Sequence, residues 1–403
     1  MRFKIGRPMQ ATLNETPSGE RTAVSFFGCR NAGKSSLINA LAAQEVSVVS
    51  PVKGTTTDPV FKAMELHPLG PVLLCDTPGF DDSGELGELR VRRTRAILLK
   101  TDIAVLVIDS SVGVSSFDRE LVSLFKEQNI PFVTVFNKCE LASCGEDVFD
   151  GSTTVRTSAL ERRGIEELGK AIVKSAQGIK PLPPLIADLV EKGDIVLLVV
   201  PIDKAAPKGR LILPQQQTIR ELIDAGAVPV VCRESEIPLA LRALKAPPAL
   251  AVTDSQVFKV ARDSIPPEVP LTSFSILMAR RRGVLEVSID GVASLSSLKD
   301  GDRILVAECC THNRQCGDIG TVKIPAGLKA RTKADLKFDF VSGSDFPDDL
   351  SSYAMVVHCG GCMQNAREIA RRAALCRKAH VPFVNYGILL AELAGILKQA
   401  SGI

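Results

Sequence analysis

Between Thr22 and Gln177, short and nearly continuous apolar runs alternate with stretches of helical period. The runs are AVSFFG, VLLCDTPG, IAVLVID, PFVTVFNK and TVRTSA, and KSSLINALAAQ and GIEELGKAIVKS are among the helical stretches. Strands apolar on both faces and separated by helices predict a mostly parallel sheet covered on both sides. IKPLPPL, residues 179–185, places three prolines in seven residues and predicts a linker. A second alternating block runs from about Ile186 to Arg262, with IVLLVVPID, VPVVCRE and ALAVTDS around helices such as PQQQTIRELIDAG. SIPPEVP, residues 264–270, breaks the pattern again. The remainder has strands RILVAEC, LKFDFVS, YAMVVHC and PFVNY, with helices MQNAREIARRAALCRKA and GILLAELAGILKQ. The expected architecture is α/β in three domains, over 1–180, 185–265 and 268–403.

Composition narrows the function classes. The chain has 403 residues, of which 45% are hydrophobic, and a net charge of only +3. With two Tyr, four His and no Trp it offers little for stacking bases, so no nucleic-acid partner is expected. No apolar run approaches the ~18 residues of a membrane span. The opening MRFKIGRPMQ lacks the apolar core of a secretory signal, which predicts a cytoplasmic protein with no membrane partner. Eleven cysteines in that compartment read as core residues and metal ligands. Cys309, Cys310, Cys316, Cys359, Cys362 and Cys376 fall in the last hundred residues with three of the four His, which marks a second site.

The first site is GCRNAGKSS, residues 28–36, between a predicted strand and a predicted helix. Gly28-x4-Gly33-Lys34-Ser35 in that context is a phosphate-binding loop. Its glycines let backbone N–H groups face a β-phosphate, Lys34 reaches the β and γ oxygens, and Ser35 holds Mg²⁺. The contact set is Gly28, Asn31, Ala32, Gly33, Lys34, Ser35 and Ser36. DTPGF places Asp76 at a strand end as a further Mg²⁺ residue and aims the Gly79 N–H at the γ-phosphate. KGTTTD supplies Thr55 and Thr56 for a loop closing on the metal. FNKCE offers Asn137 and Lys138 for the base, with Glu140 where Asp is usual in the guanine motif. TSAL adds Ser158 and Ala159. Together these motifs resemble a translation-factor-class GTPase of the branch that includes MnmE and Era.

That resemblance assigns catalysis to Lys34, Thr56 and Gly79. It also makes Asn31 a candidate ligand of K⁺, which in MnmE-like GTPases bridges the phosphates; the alternative is that Asn31 only favours the loop conformation. The acidic stretch GFDDSGELGELR leaves Asp81, Asp82, Glu85 and Glu88 as candidates for orienting water.

The second site is read from ECCTHNRQC and VVHCGGCMQN. Cys310-x-His312 and His358-Cys359-x2-Cys362 each follow an apolar strand, and 45 residues separate the two histidines. Both motifs would project from strand carboxyl ends, where open α/β sheets bind ligands. Cys362 would enter the helix behind it, whose positive end favours thiolate. Cys310, Cys359 and Cys362 with one His suit structural zinc, and the three Cys equally suit an iron–sulfur cluster. Cys309 and Cys316 are rivals of Cys310. Cys376 reads as core and His380 as structural.

A GTPase of this branch followed by Cys-x-His and His-Cys-x2-Cys resembles one family, the [FeFe]-hydrogenase maturation GTPase HydF. The stretch VVPIDKAAPKGRLILPQQQTIRELID resembles that family too. The resemblance implies GTP hydrolysis, a middle domain used for dimerisation and a homodimer. It implies a [4Fe-4S] cluster on Cys310, Cys359 and Cys362, with His312, His358 or an acid such as Asp318 near its exchangeable position. It further implies a transient [2Fe] precursor built with the radical-SAM maturases HydE and HydG and delivered to the apo hydrogenase HydA. The alternative is an RNA-directed GTPase of the MnmE/Era kind with structural zinc.

Overall fold

The computed structural model describes residues 18–44, 50–52, 60–78, 94, 97–142, 149–179, 182–202, 211–309, 319–343, 345–347, 349–361 and 364–402. The chain divides into two compact units, Met1–Lys180 and Pro181–Ile403.

The first unit is a seven-stranded sheet in the order β2-β3-β4-β1-β5-β6-β7. Its strands are β1 (Thr22–Phe27), β2 (Ser50–Val52), β3 (Val60–Leu66), β4 (Gly70–Asp76), β5 (Ile103–Asp109), β6 (Phe132–Asn137) and β7 (Thr153–Arg156). β1 pairs in parallel with β4 and β5, and β5-β6-β7 continue in parallel, as the apolar runs predict. Burial explains the runs: Ile103, Val105 and Val107 of β5 enter one core, and Ala104, Leu106 and Ile108 enter the other. Each fully buried Val, Leu or Ile contributes about 1.5–3 kcal/mol, so a strand between two helical layers carries no polar alternation. β2 and β3 escape the apolar-run criterion. They form an antiparallel edge, and β3 is partly exposed along much of its length. The helix Ser116–Glu127 starts with a capping box: the Asp118 N–H donates to Ser115 Oγ (3.2 Å), and the Ser115 N–H donates to Asp118 Oδ2 (2.9 Å).

The second unit holds two four-stranded parallel sheets, β11-β10-β8-β9 and β13-β12-β14-β15. Their strands are β8 (Ile195–Val199), β9 (Val228–Cys232), β10 (Leu250–Thr253), β11 (Leu271–Ser273), β12 (Arg303–Glu308), β13 (Lys337–Ser342), β14 (Met355–His358) and β15 (Phe383–Asn385). Both sheets have the same winding, with the first strand of each flanked by the second and the third. The Pro-rich stretch 264–270 lies between β10 and β11 of one sheet. The helix Phe274–Arg281 serves both cores. Phe274, Leu277 and Met278 pack with β8 and β10, whereas Ile276 and Ala279 pack with β12 and β14. Thr272 Oγ1 also donates to the Ala400 carbonyl at 2.9 Å. Among the described residues, no helix is long and apolar enough to cross a membrane.

Candidate functional site

The phosphate loop leaves β1 and opens the helix Lys34–Gln44. Its two motif glycines are required sterically. Gly28 has φ 139°, and a Cβ there would meet the Val107 carbonyl oxygen at 2.2 Å; Gly33 has φ 94°, and its Cβ would meet Asn137 Nδ2 at 2.2 Å. Lys34 is buried, with Nζ donating to the carbonyls of Gly28 (3.0 Å) and Cys29 (2.9 Å). Burial pushes its ammonium below the ordinary lysine range, against the opposing pull of Asp76, Cys29 and Asp118. Ser35 Oγ donates to Asp76 Oδ2, so the two oxygens assigned to Mg²⁺ converge. This donor pair suits a hard cation that keeps water ligands. Asn31 has φ 62°, in the left-handed region that Asn tolerates better than most side chains.

Asn137, 1% exposed, ties the base side to the phosphate side. Its Nδ2 donates to the Ala32 carbonyl at 2.9 Å, and its Oδ1 accepts from the Ala159 N–H and Thr157 Oγ1, both at 3.2 Å. Lys138 Nζ lies 2.6 Å from Asp109 Oδ2. Burial alone would raise the Asp109 carboxyl, but the bonds from Lys138 and Ser111 prevail and hold it low. A hydrogen bond from the Ser158 hydroxyl chiefly keeps the Glu140 carboxyl below its usual range, so this acid stands ionised beside Ser158. Ser36 is exposed in the first turn of the helix. Thr55, Thr56, Gly79, Asp81, Asp82, Glu85 and Glu88 lie outside the described residues.

At the second site, strand periodicity decides which side chains meet. Leu305 on β12 and Val356 on β14 share a core with Ile369, Ala373 and Cys376 of the helix Ala366–Lys378. Two-residue steps from them carry Cys309 and His358 toward the same helix. The side-chain ligand atoms of Cys309, His358 and Cys359 lie within 4.8 Å of one another. The backbone winding opens a crevice here, because β12 and β14 are neighbours whose onward connections leave in opposite directions. The Cys309 N–H donates to Cys359 Sγ at 3.1 Å, and Cys309 Sγ is 3.5 Å from His358 Nε2. His358 is fully buried, with Nδ1 2.7 Å from the Cys359 carbonyl oxygen. Burial pushes its pKa down; Cys359 opposes this and the Arg372 charge adds to it.

Cys309, a rival of Cys310 in the sequence reading, is the member of that pair among the described residues. Cys310, His312, Cys316, Asp318 and Cys362 lie outside those residues. The helix expected from Met363, with Cys362 at its entry, starts at Ala366, capped by Asn365, whose side chain accepts from the Glu368 N–H at 3.0 Å. Cys376 is fully buried and its thiol is pushed up to about 12 by burial, as a core residue should be. His380, exposed with φ 56°, is a turn residue after the same helix. Sequence reasoning missed Arg372 and Glu368, an ion pair beneath the site at 3.0 Å with side chains 1% and 4% exposed. Their signal was present, since positions 368, 369, 372, 373 and 376 trace the buried stripe of the helix. Two thiols and an imidazole at a strand-end crevice form a donor set that suits zinc or an iron–sulfur cluster.

A family model described as the hydrogen maturase F dimerization domain matches residues 185–283. Another, the hydrogen maturase F tetramerization domain, matches 286–402, and a 50S ribosome-binding GTPase model matches 23–138. The tRNA modification GTPase MnmE of Nitrosomonas europaea is 32% identical over 179 residues, covering 44% of this chain and 39% of that protein. GTPase Der of Kosmotoga olearia is 33% identical over 162 residues, 36% of each protein. The chain thus spans less than half the length of these curated relatives. The solved G domain of the T. maritima FeoB iron transporter is 24% identical, covers 39% of this chain and 99% of that one, and has a TM-score of 0.31. The two maturase models together span more than half the chain and follow a GTPase domain of the MnmE/Era kind. The chain belongs to the hydrogen maturase F family, HydF.

Proposed function

We propose that this protein is a GTP-hydrolysing scaffold that binds a [4Fe-4S] cluster and delivers a diiron precursor to the apo [FeFe]-hydrogenase HydA. The observation that carries the reading is the meeting of Cys309, His358 and Cys359 at the crevice between β12 and β14, within the segment matched by a maturase model. Cys310, Cys359 and Cys362 would hold the cluster, with His312 or an acid such as Asp318 as candidates for its exchangeable position. When bound, a cluster held by three cysteines supplies an iron open to an exchangeable ligand, which suits a carrier that must release its cargo. The backbone N–H of Cys309 on Cys359 Sγ would favour the thiolate and would tune a cluster held there.

In this reading residues 1–180 bind GTP, 185–283 dimerise and 286–402 hold the cluster. Lys34, Thr56 and the Gly79 N–H stabilise the γ-phosphate, Ser35, Thr56 and Asp76 hold Mg²⁺, and Asn137, Lys138 and Glu140 select guanine. HydE and HydG supply the precursor in the cytoplasm to a homodimer of this chain. Turnover then acts as a timing step for partner exchange.

Anaerobic purification with iron and zinc quantification and EPR of the reduced protein tests the cluster. Iron near four per protomer, with a cubane signal, is expected; one zinc and no iron would sink the assignment and favour the RNA-directed alternative. For the first site, replacing sodium by potassium should raise GTP turnover, and Asn31→Gly should erase the difference. Glycine is the right replacement because it keeps the left-handed backbone at φ 62° while removing the amide. Equal rates in the two salts for the unmodified chain would refute the potassium role.

A further inference from the structure

Among the described residues, Arg372 joins the ends of β12, β13 and β14 at the crevice. From the helix Ala366–Lys378, its Nη1 reaches His358 Nε2 at 3.3 Å and Cys309 Sγ at 3.7 Å. Nη2 donates to the Gly343 carbonyl after β13 at 2.7 Å, and Nε donates to Glu368 at 3.0 Å. The guanidinium carbon lies 5.0 Å from the Phe346 ring centroid. Arg372 is 1% exposed, so few alternative partners exist for these donors.

The chemistry of the contacts fixes the imidazole. A guanidinium only donates, so His358 Nε2 accepts from it with a lone pair, and in the metal-free site the Cys309 thiol 3.5 Å away is the donor of the second contact to that nitrogen. A peptide carbonyl only accepts, so His358 Nδ1, 2.7 Å from the Cys359 carbonyl, must carry the proton. Both ring nitrogens are then committed, one to Arg372 and one to the backbone of Cys359. A metal at Nε2 would have to displace a buried cation, and a metal at Nδ1 would have to displace the carbonyl that orients Cys359. The ring is further held against Phe383, with centroids 5.3 Å apart.

We propose that Arg372 is a positioning residue that holds His358 as the neutral Nδ1–H tautomer, making His358 a non-ligating brace for the Cys359 backbone. This excludes His358 from the exchangeable position and leaves that position to a group from another segment. The part of the proposal that concerns a bound cluster rests on the function proposed above; the part that concerns the tautomer does not.

The test uses the full chain with His67, His312 and His380 changed to Ala, so that His358 is the single histidine. With ¹⁵N-histidine and no metal, the spectrum should show a protonated Nδ1 and an unprotonated Nε2. Arg372→Gln should shift these resonances toward the averaged values of a free imidazole, and Arg372→Lys should restore part of the separation. If Arg372→Gln does not fold, the single-histidine parent still decides, because a protonated Nε2 there overturns the proposal. After reconstitution with iron and sulfide, pulsed EPR of the same labelled chain should lack directly bound ¹⁵N, and Arg372→Gln should lower the midpoint potential by removing a buried positive charge. A directly bound ¹⁵N signal overturns the proposal. Failure of the otherwise unmodified chain to take up iron overturns the cluster reading instead, and the metal-free tautomer then decides the role of Arg372 alone.

Discussion

Lys34→Met is expected to lower GTP turnover by about 10²–10³-fold, while the nucleotide-free variant unfolds at a temperature equal to or above that of the parent. The two effects share one cause. Lys34 is 6% exposed, and in the free loop its ammonium rests on two backbone carbonyls, with burial pushing its pKa down. The charge is therefore kept at a cost to the fold, and phosphate oxygens recover it by giving the ammonium strong anionic partners. Methionine has a similar shape and no charge, so it removes the cost and the transition-state contact together. The sign with pH follows from linkage. Because the folded-state pKa lies below the unfolded value, the unfolded chain binds the proton more tightly, and parent stability rises as pH climbs from the depressed pKa toward 10.5. The stability advantage of Lys34→Met is thus largest below the depressed pKa and shrinks above it. Calorimetry of the first unit and a phosphate-release assay read the two arms, with about 2–4 °C expected for each kcal/mol. A turnover loss under about tenfold, ~1.4 kcal/mol of barrier, would show that Lys34 is not central to the chemistry.

The phosphate loop was legible because steric necessity leaves a mark in sequence: only glycine fits against Val107 at position 28 and against Asn137 at position 33. The central strands were legible for a similar reason, since burial on both faces turns them into continuous apolar runs. What the Asn137 side chain does was not legible. The motif identifies a base-binding Asn, but the bonds to Ala32 and Ala159 span 105 and 22 residues and arise only when β6 is set beside the loop. At the second site, spacing alone does not tell that Cys309 meets His358; two-residue steps along neighbouring strands do. The buried arginine was obscured by its neighbours. Arg367, Arg371 and Arg372 occupy one helix with Arg377, and composition alone makes that a solvated face. The 3.6-residue stripe through Ile369, Ala373 and Cys376 selects Arg372 as the one that turns inward.

Arg372→Met is expected to destabilise the second unit by about 3–5 kcal/mol, because it leaves the Glu368 carboxylate buried without its partner. The double replacement Glu368→Met with Arg372→Met is expected to cost less than the single one, since it removes both charges and fills their volume with apolar atoms. The chain supplies its own probe. It has no Trp, and both tyrosines, Tyr353 and Tyr386, belong to the second unit, so tyrosine fluorescence during urea unfolding follows that unit selectively. Tyr386 OH donates to Glu308 at 3.3 Å and Tyr353 packs on Arg303 at 5.2 Å, which places both probes on elements that carry the crevice. If the double variant recovers most of the stability lost in the single one, the ion pair is not what holds the domain together, and its persistence has to be explained by what Arg372 positions. If the double variant is as unstable as the single one, the bonds from Arg372 to Gly343, Cys309 and His358 are themselves the main structural contribution, and the fold rather than the metal chemistry accounts for the buried charge.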